Sequence, residues 1–158
     1  MNLAYVALGA NLGDAASTVR AAFGALANLP QSRISRTSAL YRTAPVGFAE
    51  QPDFINAVAR LETELAPEAL LDELLALETR FGRLRAEKNG PRTLDLDLLL
   101  YNDQHLDLPR LTLPHPRLHL RAFVLCPLAE LAPALLIPGR GSIAAWLPAV
   151  ANQGIARL

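Results

Sequence analysis

The chain has 158 residues with 15 Lys and Arg against 15 Asp and Glu, so its formal charge is zero; 51% of it is hydrophobic and 19% charged. Neutrality excludes the broad basic surface that recruits nucleic acid or anionic membrane, so any polyanion site must be local. The apolar content excludes a disordered chain, and the length fits one domain over residues 1–158 that buries roughly two thirds of its unfolded surface.

In chain order, residues 3–8 read as a first strand, without the basic flank of a signal peptide. Gly9 to Gly13 (GANLG) reads as a turn, and Asp14 as the N-cap of a helix to about Leu29, with Val19, Ala22, Phe23 and Leu26 on its apolar face. Residues 33–41 are expected as a strand and 42–52 as a loop. Residues 54–62 alternate, with Phe54, Asn56, Val58 and Arg60 on one face and Ile55, Ala57, Ala59 and Leu61 on the other. Pro67 opens a second helix whose stripe is Leu70, Leu71, Leu74, Leu77 and Phe81, and Gly82 is placed to stop it.

Residues 93–101 follow as a strand, 109–119 as an irregular segment, 121–131 as a helix broken by Pro127, and 142–150 as a short final helix. Strand, helix, two strands, helix, strand is the order of an α+β fold, a ferredoxin-like α/β sandwich with a mainly antiparallel sheet. Cys126 is the single cysteine, which excludes an internal disulfide. No uncharged apolar run approaches the ~18 residues of a membrane helix, so a cytoplasmic location without membrane partners is expected.

Chemistry concentrates in GPRTLDLDLLL, residues 90–100. A period of two puts Thr93, Asp95 and Asp97 on one face and Leu94, Leu96, Leu98 and Leu100 on the other. Aspartate is disfavoured in strands and like charges on one face repel, so a compensating ion is one reading; a solvated polar face is the other. One or two Mg²⁺ ions suit such a pair, being hard cations that keep water and phosphate oxygens as further ligands.

Just upstream, Arg83, Arg85, Lys88 and Arg92 face only Glu87. Alone this is a solvated loop, but beside an aspartate pair it reads as a clamp for a triphosphate, since guanidinium forks match phosphate oxygens. Phe54 beside Asn56 suits a flat heterocycle that stacks and is read along its edge, although an ordinary core aromatic and a buried amide give the same pattern. No Gly-Lys-Ser/Thr phosphate loop occurs.

Taken together, GANLG, YRTAPVGFAEQPDFINAV, LAPEALLDELLALETRFGR, GPRTLDLDLLL and LTLPHPRLHLRAFVLCPLAELAP resemble, in order and spacing, the 6-hydroxymethyl-7,8-dihydropterin pyrophosphokinase family of folate biosynthesis. The resemblance implies transfer of the β,γ-pyrophosphoryl group of ATP to the pterin hydroxymethyl oxygen, releasing AMP. It implies that Asp95 and Asp97 ligate two Mg²⁺, and that Phe54, Asn56, Phe123, Thr43, Val46 and Asn11 bind the pterin. It further implies that Arg83, Arg92, Arg110, Thr112, His115 and Arg121 hold ATP, with Leu71 and Glu78 near the nucleoside and Arg85 approaching the phosphates. Asn89 stands where some members have tryptophan, and Pro116 where some have an aromatic residue. A monomer acting on small molecules, without nucleic acid, is expected. A non-catalytic ferredoxin-like ligand- or RNA-binding domain could also show aromatics on a sheet face, though zero net charge and two acidic residues on the working strand argue against RNA; a different two-metal nucleotidyl transferase could carry the same carboxylate pair, and Phe54 with Asn56 and Phe123 favours a small pterin.

Overall fold

The computed structural model describes residues 1–44, 50–82 and 93–158. The elements are β1 (Asn2–Ala10), α1 (Ala15–Ala27), β2 (Ser32–Thr37), β3 (Tyr41–Thr43), β4 (Phe54–Thr63), α2 (Pro67–Arg80) and β5 (Asp95–Tyr101). They continue with β6 (Leu106–Leu108), β7 (Leu111–Leu113), a 3-10 turn (Leu118–Leu120), α3 (Ala122–Leu131), β8 (Leu136–Ile137), β9 (Gly141–Ser142), α4 (Ile143–Val150) and β10 (Ile155–Arg157).

The main sheet runs β10-β3-β4-β1-β5, with β2 also paired to β4, and every pairing is antiparallel. Omitting the additions, the order of β2, β4, β1 and β5 is that of a ferredoxin-like sandwich, as expected. α1 and α2 cover one face through Val19, Ala22, Leu26, Leu70, Leu74 and Leu77. Each such fully buried leucine contributes roughly 1.5–3 kcal/mol over leaving it in water. α3 and α4 cover part of the other face, where Val58, Leu125, Leu128 and Ile143 form a second core.

Local chemistry explains most boundaries. Asp14 accepts from Ser17 N at 3.1 Å to start α1, and Gly82 takes φ +76° after α2, a conformation that glycine adopts without strain. β4 splits its faces as its alternation requires: Ile55, Ala57, Ala59 and Leu61 meet α1 and α2, while Val58 meets α3.

Several expectations change. β1 runs through Gly9 to Ala10, so Gly9 is a strand residue. The expected strand at 33–41 divides into β2 and β3, because the Ser38 hydroxyl accepts from Val58 N (2.9 Å) and Ala39 N turns away to Glu130 of α3. The segment 109–119 is not irregular throughout, since β6 and β7 form a hairpin turning at Pro109 and Arg110. α3 passes unbroken through Pro127; burial of Ala122, Val124, Leu125, Leu128 and Leu131 offsets the roughly 3 kcal/mol that an interior proline costs.

A bulge in β5 matters for the site. Val6 pairs with Leu98 but Tyr5 pairs with Leu100, leaving Leu99 as the extra residue. Leu94, Leu96 and Leu98 therefore face α1 and α2, whereas Leu100 is turned into the α3 core, against the strict alternation of the sequence. The bulged Leu99 offers its carbonyl to His115 N at 2.9 Å, which docks the segment after β7 on the sheet edge.

Candidate functional site

Sheet register assembles the first half of the site. Gly9 lies between Asn56 and Asp95, and Ala7 between Val58 and Asp97, so two aligned rows cross β4, β1 and β5. The small side chains of β1 leave room above them. There Ala7, Gly9, Thr43, Phe54, Asn56 and Phe123 line a cavity of about 510 Å³, within the ordinary range for small-molecule sites.

Asn56 is buried and donates to Thr43 Oγ1 at 2.8 Å, which fixes its amide plane. A Cβ on Gly9 would stand 3.0 Å from Asn56 Oδ1, so glycine permits this close approach. Phe54 opens β4 and Phe123 lies in the first turn of α3, so a strand and a helix each contribute an aromatic ring to one cavity.

A second cavity, of about 610 Å³, lies along α2, β5 and the β6–β7 hairpin, lined among others by Leu71, Glu78, Arg110, Thr112 and His115. Arg110 donates to and pairs with Asp72 of α2. Glu78 is buried and accepts from Leu96 N at 2.7 Å. β5 is the terminal strand of the described sheet. Glu78 thus satisfies an edge donor between the two aspartates, and its carboxylate locks the strand that carries them.

Asp95, Asp97, Arg117 and Arg121 line both cavities, so the compartments meet at a carboxylate pair flanked by two guanidinium groups. Arg121 lies with its guanidinium carbon 5.4 Å from the Phe123 ring centroid, a cation–π contact. Burial disfavours its charged form and lowers its pKa, as does Arg117, whereas Asp97 and Asp95 oppose that shift. Burial, reinforced by Arg121 and Arg117, lowers the pKa of His115 to about 4. Its Nδ1 accepts from Arg117 N at 3.1 Å, so the neutral ring carries its proton on Nε2.

Among the described residues no group of three or more His, Cys, Asp or Glu side chains could cage a metal. Two half-buried carboxylates open to both cavities fit instead a hard ion that completes its shell with water and phosphate oxygens.

Of the residues expected from sequence, Thr43, Phe54, Asn56, Phe123, Asp95 and Asp97 share the first cavity, and Leu71, Glu78, Arg110, Thr112, His115 and Arg121 share the second with the aspartates. Asn11 does not line either; it is buried and donates to Gln51 Oε1 (2.7 Å) and the Pro52 carbonyl (3.0 Å), pinning the entry to β4. Val46, Arg83, Arg85 and Arg92 lie outside the described residues.

Sequence reasoning missed Gly9, Arg117, Gln153 and Gly154 as lining residues. Arg117 sits within the segment that resembles the family, between His115 and Arg121, and was open to notice. Gln153 and Gly154 carry no motif.

Fold and site together define a class: an α+β domain with a two-compartment site that joins a cavity bearing two aromatic side chains to a second, arginine-bearing one across an aspartate pair. A family described as 7,8-dihydro-6-hydroxymethylpterin-pyrophosphokinase matches residues 5–133, and the chain belongs to it. It is 50% identical over 154 residues to a Pseudomonas aeruginosa protein named 2-amino-4-hydroxy-6-hydroxymethyldihydropteridine pyrophosphokinase, covering 98% of this chain and 95% of that one. A Haemophilus influenzae protein of the same name is 42% identical over 158 residues, with 100% of this chain and 99% of the other covered.

Among solved structures, a Plasmodium falciparum HPPK-DHPS matches with TM-score 0.71 at 15% identity, covering 94% of this chain. The present chain spans 43% of that longer one, and at this identity the likeness speaks to the fold alone.

Proposed function

We propose that the chain transfers the β,γ-pyrophosphoryl group of ATP to the hydroxymethyl oxygen of 6-hydroxymethyl-7,8-dihydropterin in folate biosynthesis, with the pterin in the first cavity and ATP in the second. The observation that carries this assignment is the sharing of Asp95, Asp97, Arg117 and Arg121 by both cavities, because a group can pass between two substrates only where their compartments meet.

In this reading Phe54 and Phe123 stack on the pterin, and Asn56, held by Thr43, reads its hydrogen-bonding edge. Arg110, Thr112, Arg121 and the Nε2–H of His115 hold ATP, together with Arg83, Arg85 and Arg92. Two Mg²⁺ ions, when bound at Asp95 and Asp97, supply charge neutralisation for the triphosphate. The hydroxymethyl oxygen bonds to the β-phosphorus as the bond from that phosphorus to the α,β-bridging oxygen breaks, and AMP leaves with that oxygen. Asp97 is the carboxylate that takes the hydroxyl proton, directly or through water. Positioning and preorganised charge account for most of the rate, with the aromatic walls aligning the acceptor and the guanidinium groups stabilising charge on the leaving AMP.

No helix among the described residues is long and apolar enough to cross a membrane. A monomer acting in the cytoplasm, with residues 1–158 as one functional unit, completes the proposal. The direct test is AMP formation from ATP, hydroxymethyldihydropterin and Mg²⁺: AMP that depends on the pterin supports it, and its absence refutes it. The same assay in the presence of EDTA should show no turnover.

A further inference from the structure

α3 starts at Ala122, directly after Arg121, and Arg121 provides no side-chain cap. The first N–H groups of a helix need acceptors from elsewhere. Ala122 N donates to Gln153 Oε1 at 2.9 Å, across 31 positions of sequence, and Gln153 Nε2 donates to the Leu120 carbonyl at 3.0 Å. One side-chain amide thus pairs with the backbone on both sides of Arg121, as the peptide of a neighbouring strand would. Between these two bonds Arg121 is extended, with φ −124° and ψ 119°.

Gln153 is exposed, but its backbone is tied down. Its N–H donates to the Val150 carbonyl at 3.0 Å, and the next residues pair with β3 through Ile155, Ala156 and Arg157. It borders the first cavity, and it belongs to the tail beyond residue 133, where the family match ends.

We propose that Gln153 is a positioning residue that acts through the backbone of residues 120–122 to hold the Arg121 guanidinium at the junction of the two compartments, over the Phe123 ring. The proposal rests on the pyrophosphokinase reading for the consequence it predicts. Without the amide the backbone around Arg121 can rotate, so the guanidinium and the Phe123 ring lose their common orientation toward the reacting groups.

The test is a double-mutant cycle of Gln153→Ala and Arg121→Ala, read as kcat/KM for AMP formation alongside hydrogen exchange of the Ala122 amide. Gln153→Ala is expected to lower kcat/KM about tenfold, the loss of two neutral hydrogen bonds that orient a reacting group. In the Arg121→Ala background the same change should alter kcat/KM less than twofold, because the side chain being positioned is already gone. Ala122 exchange should accelerate in Gln153→Ala. A single variant within twofold of wild type, or an equal tenfold loss in both backgrounds, overturns the proposal, the latter by showing an effect that does not pass through Arg121. Should Gln153→Ala not fold, Gln153→Met retains the volume, removes both bonds and carries the same cycle. If the wild-type chain forms no AMP, the pyrophosphokinase reading fails instead, and unchanged Ala122 exchange in the variant would then overturn the positioning role separately.

Discussion

The two cavities are built by different means. The first is walled by paired strands: Asn56, Gly9 and Asp95 stand in register across the sheet, and a buried hydrogen bond from Asn56 to Thr43 holds the amide. The second, besides the β5 aspartates it shares with the first, gathers its polar groups from α2, the β6–β7 hairpin and the segment leading to α3, with Thr112 exposed and Arg110 tied to Asp72 on the surface. A planar ligand demands fixed distances along one edge, which a sheet supplies; a triphosphate is held by charges whose optimum is broad. On the proposed assignment of substrates to cavities, the contrast teaches that recognition of the flat substrate is set by backbone register, and recognition of the polyanion by side chains that can adjust.

Perturbations can break or sharpen this contrast. The largest effect is expected at the shared boundary: Asp97→Ala should lower kcat/KM on the order of 10³-fold, as loss of one preorganised charge-stabilising group does. Near wild-type Mg²⁺-dependent turnover in that variant would overturn the metal assignment. Next, Asn56→Ala should weaken pterin binding roughly 10- to 100-fold while leaving ATP affinity within a factor of about two, since only the first cavity loses an edge-reading amide. Titration calorimetry with each ligand separately decides it, and an equal loss for both ligands would remove the distinction between the cavities.

A smaller change is expected at the lock behind the aspartates. Glu78→Ala leaves Leu96 N without its acceptor and should cost about 1–3 kcal/mol in denaturant unfolding, whereas Glu78→Gln keeps an acceptor and should recover most of it. Equal loss in both variants would show that the carboxylate, not its hydrogen bond to β5, matters.

His115 predicts a pH signature in the ligand-free protein. Folded, it protonates only near pH 4, while in the unfolded chain it does so below about 6.5. Between those values the unfolded state binds more protons, so stability falls as pH falls from about 6.5 toward 4. His115→Gln should flatten that slope, and an unchanged slope would place the effect elsewhere. The smallest expected effect is Arg110→Ala on stability, a change too small to shift the denaturant midpoint measurably, because an exposed ion pair gains little against water. A loss as large as that of Glu78→Ala would show that the second cavity is as tightly built as the first.

Much of this was legible locally. The alternation of Phe54 to Glu62 predicted which side chains face the helices, and Asp14, Pro67 and Gly82 marked helix ends through capping chemistry confined to a few residues. Asp95 and Asp97 stood out because carboxylates two apart on a strand share a face whatever the strand pairs with. Gly9 looked like a turn residue, since its role depends on Asn56 in a strand 47 positions away. The Leu99 bulge was invisible for a similar reason: the extra residue exists only relative to Tyr5 and Val6 on the partner strand.

The sequence by itself therefore determined the main helices, the long strands, the faces of β4 and the identity of the chemical groups, because periodicity, caps and side-chain chemistry are properties of neighbours along the chain. Only the tertiary structure decided that Asn11 and Glu78 serve as buried ties, that Arg117 joins the boundary, and that Gln153 clasps the backbone around Arg121. Those roles are hydrogen bonds and cavity walls between distant segments, and no local pattern specifies which donor a remote acceptor will meet once the strands have paired.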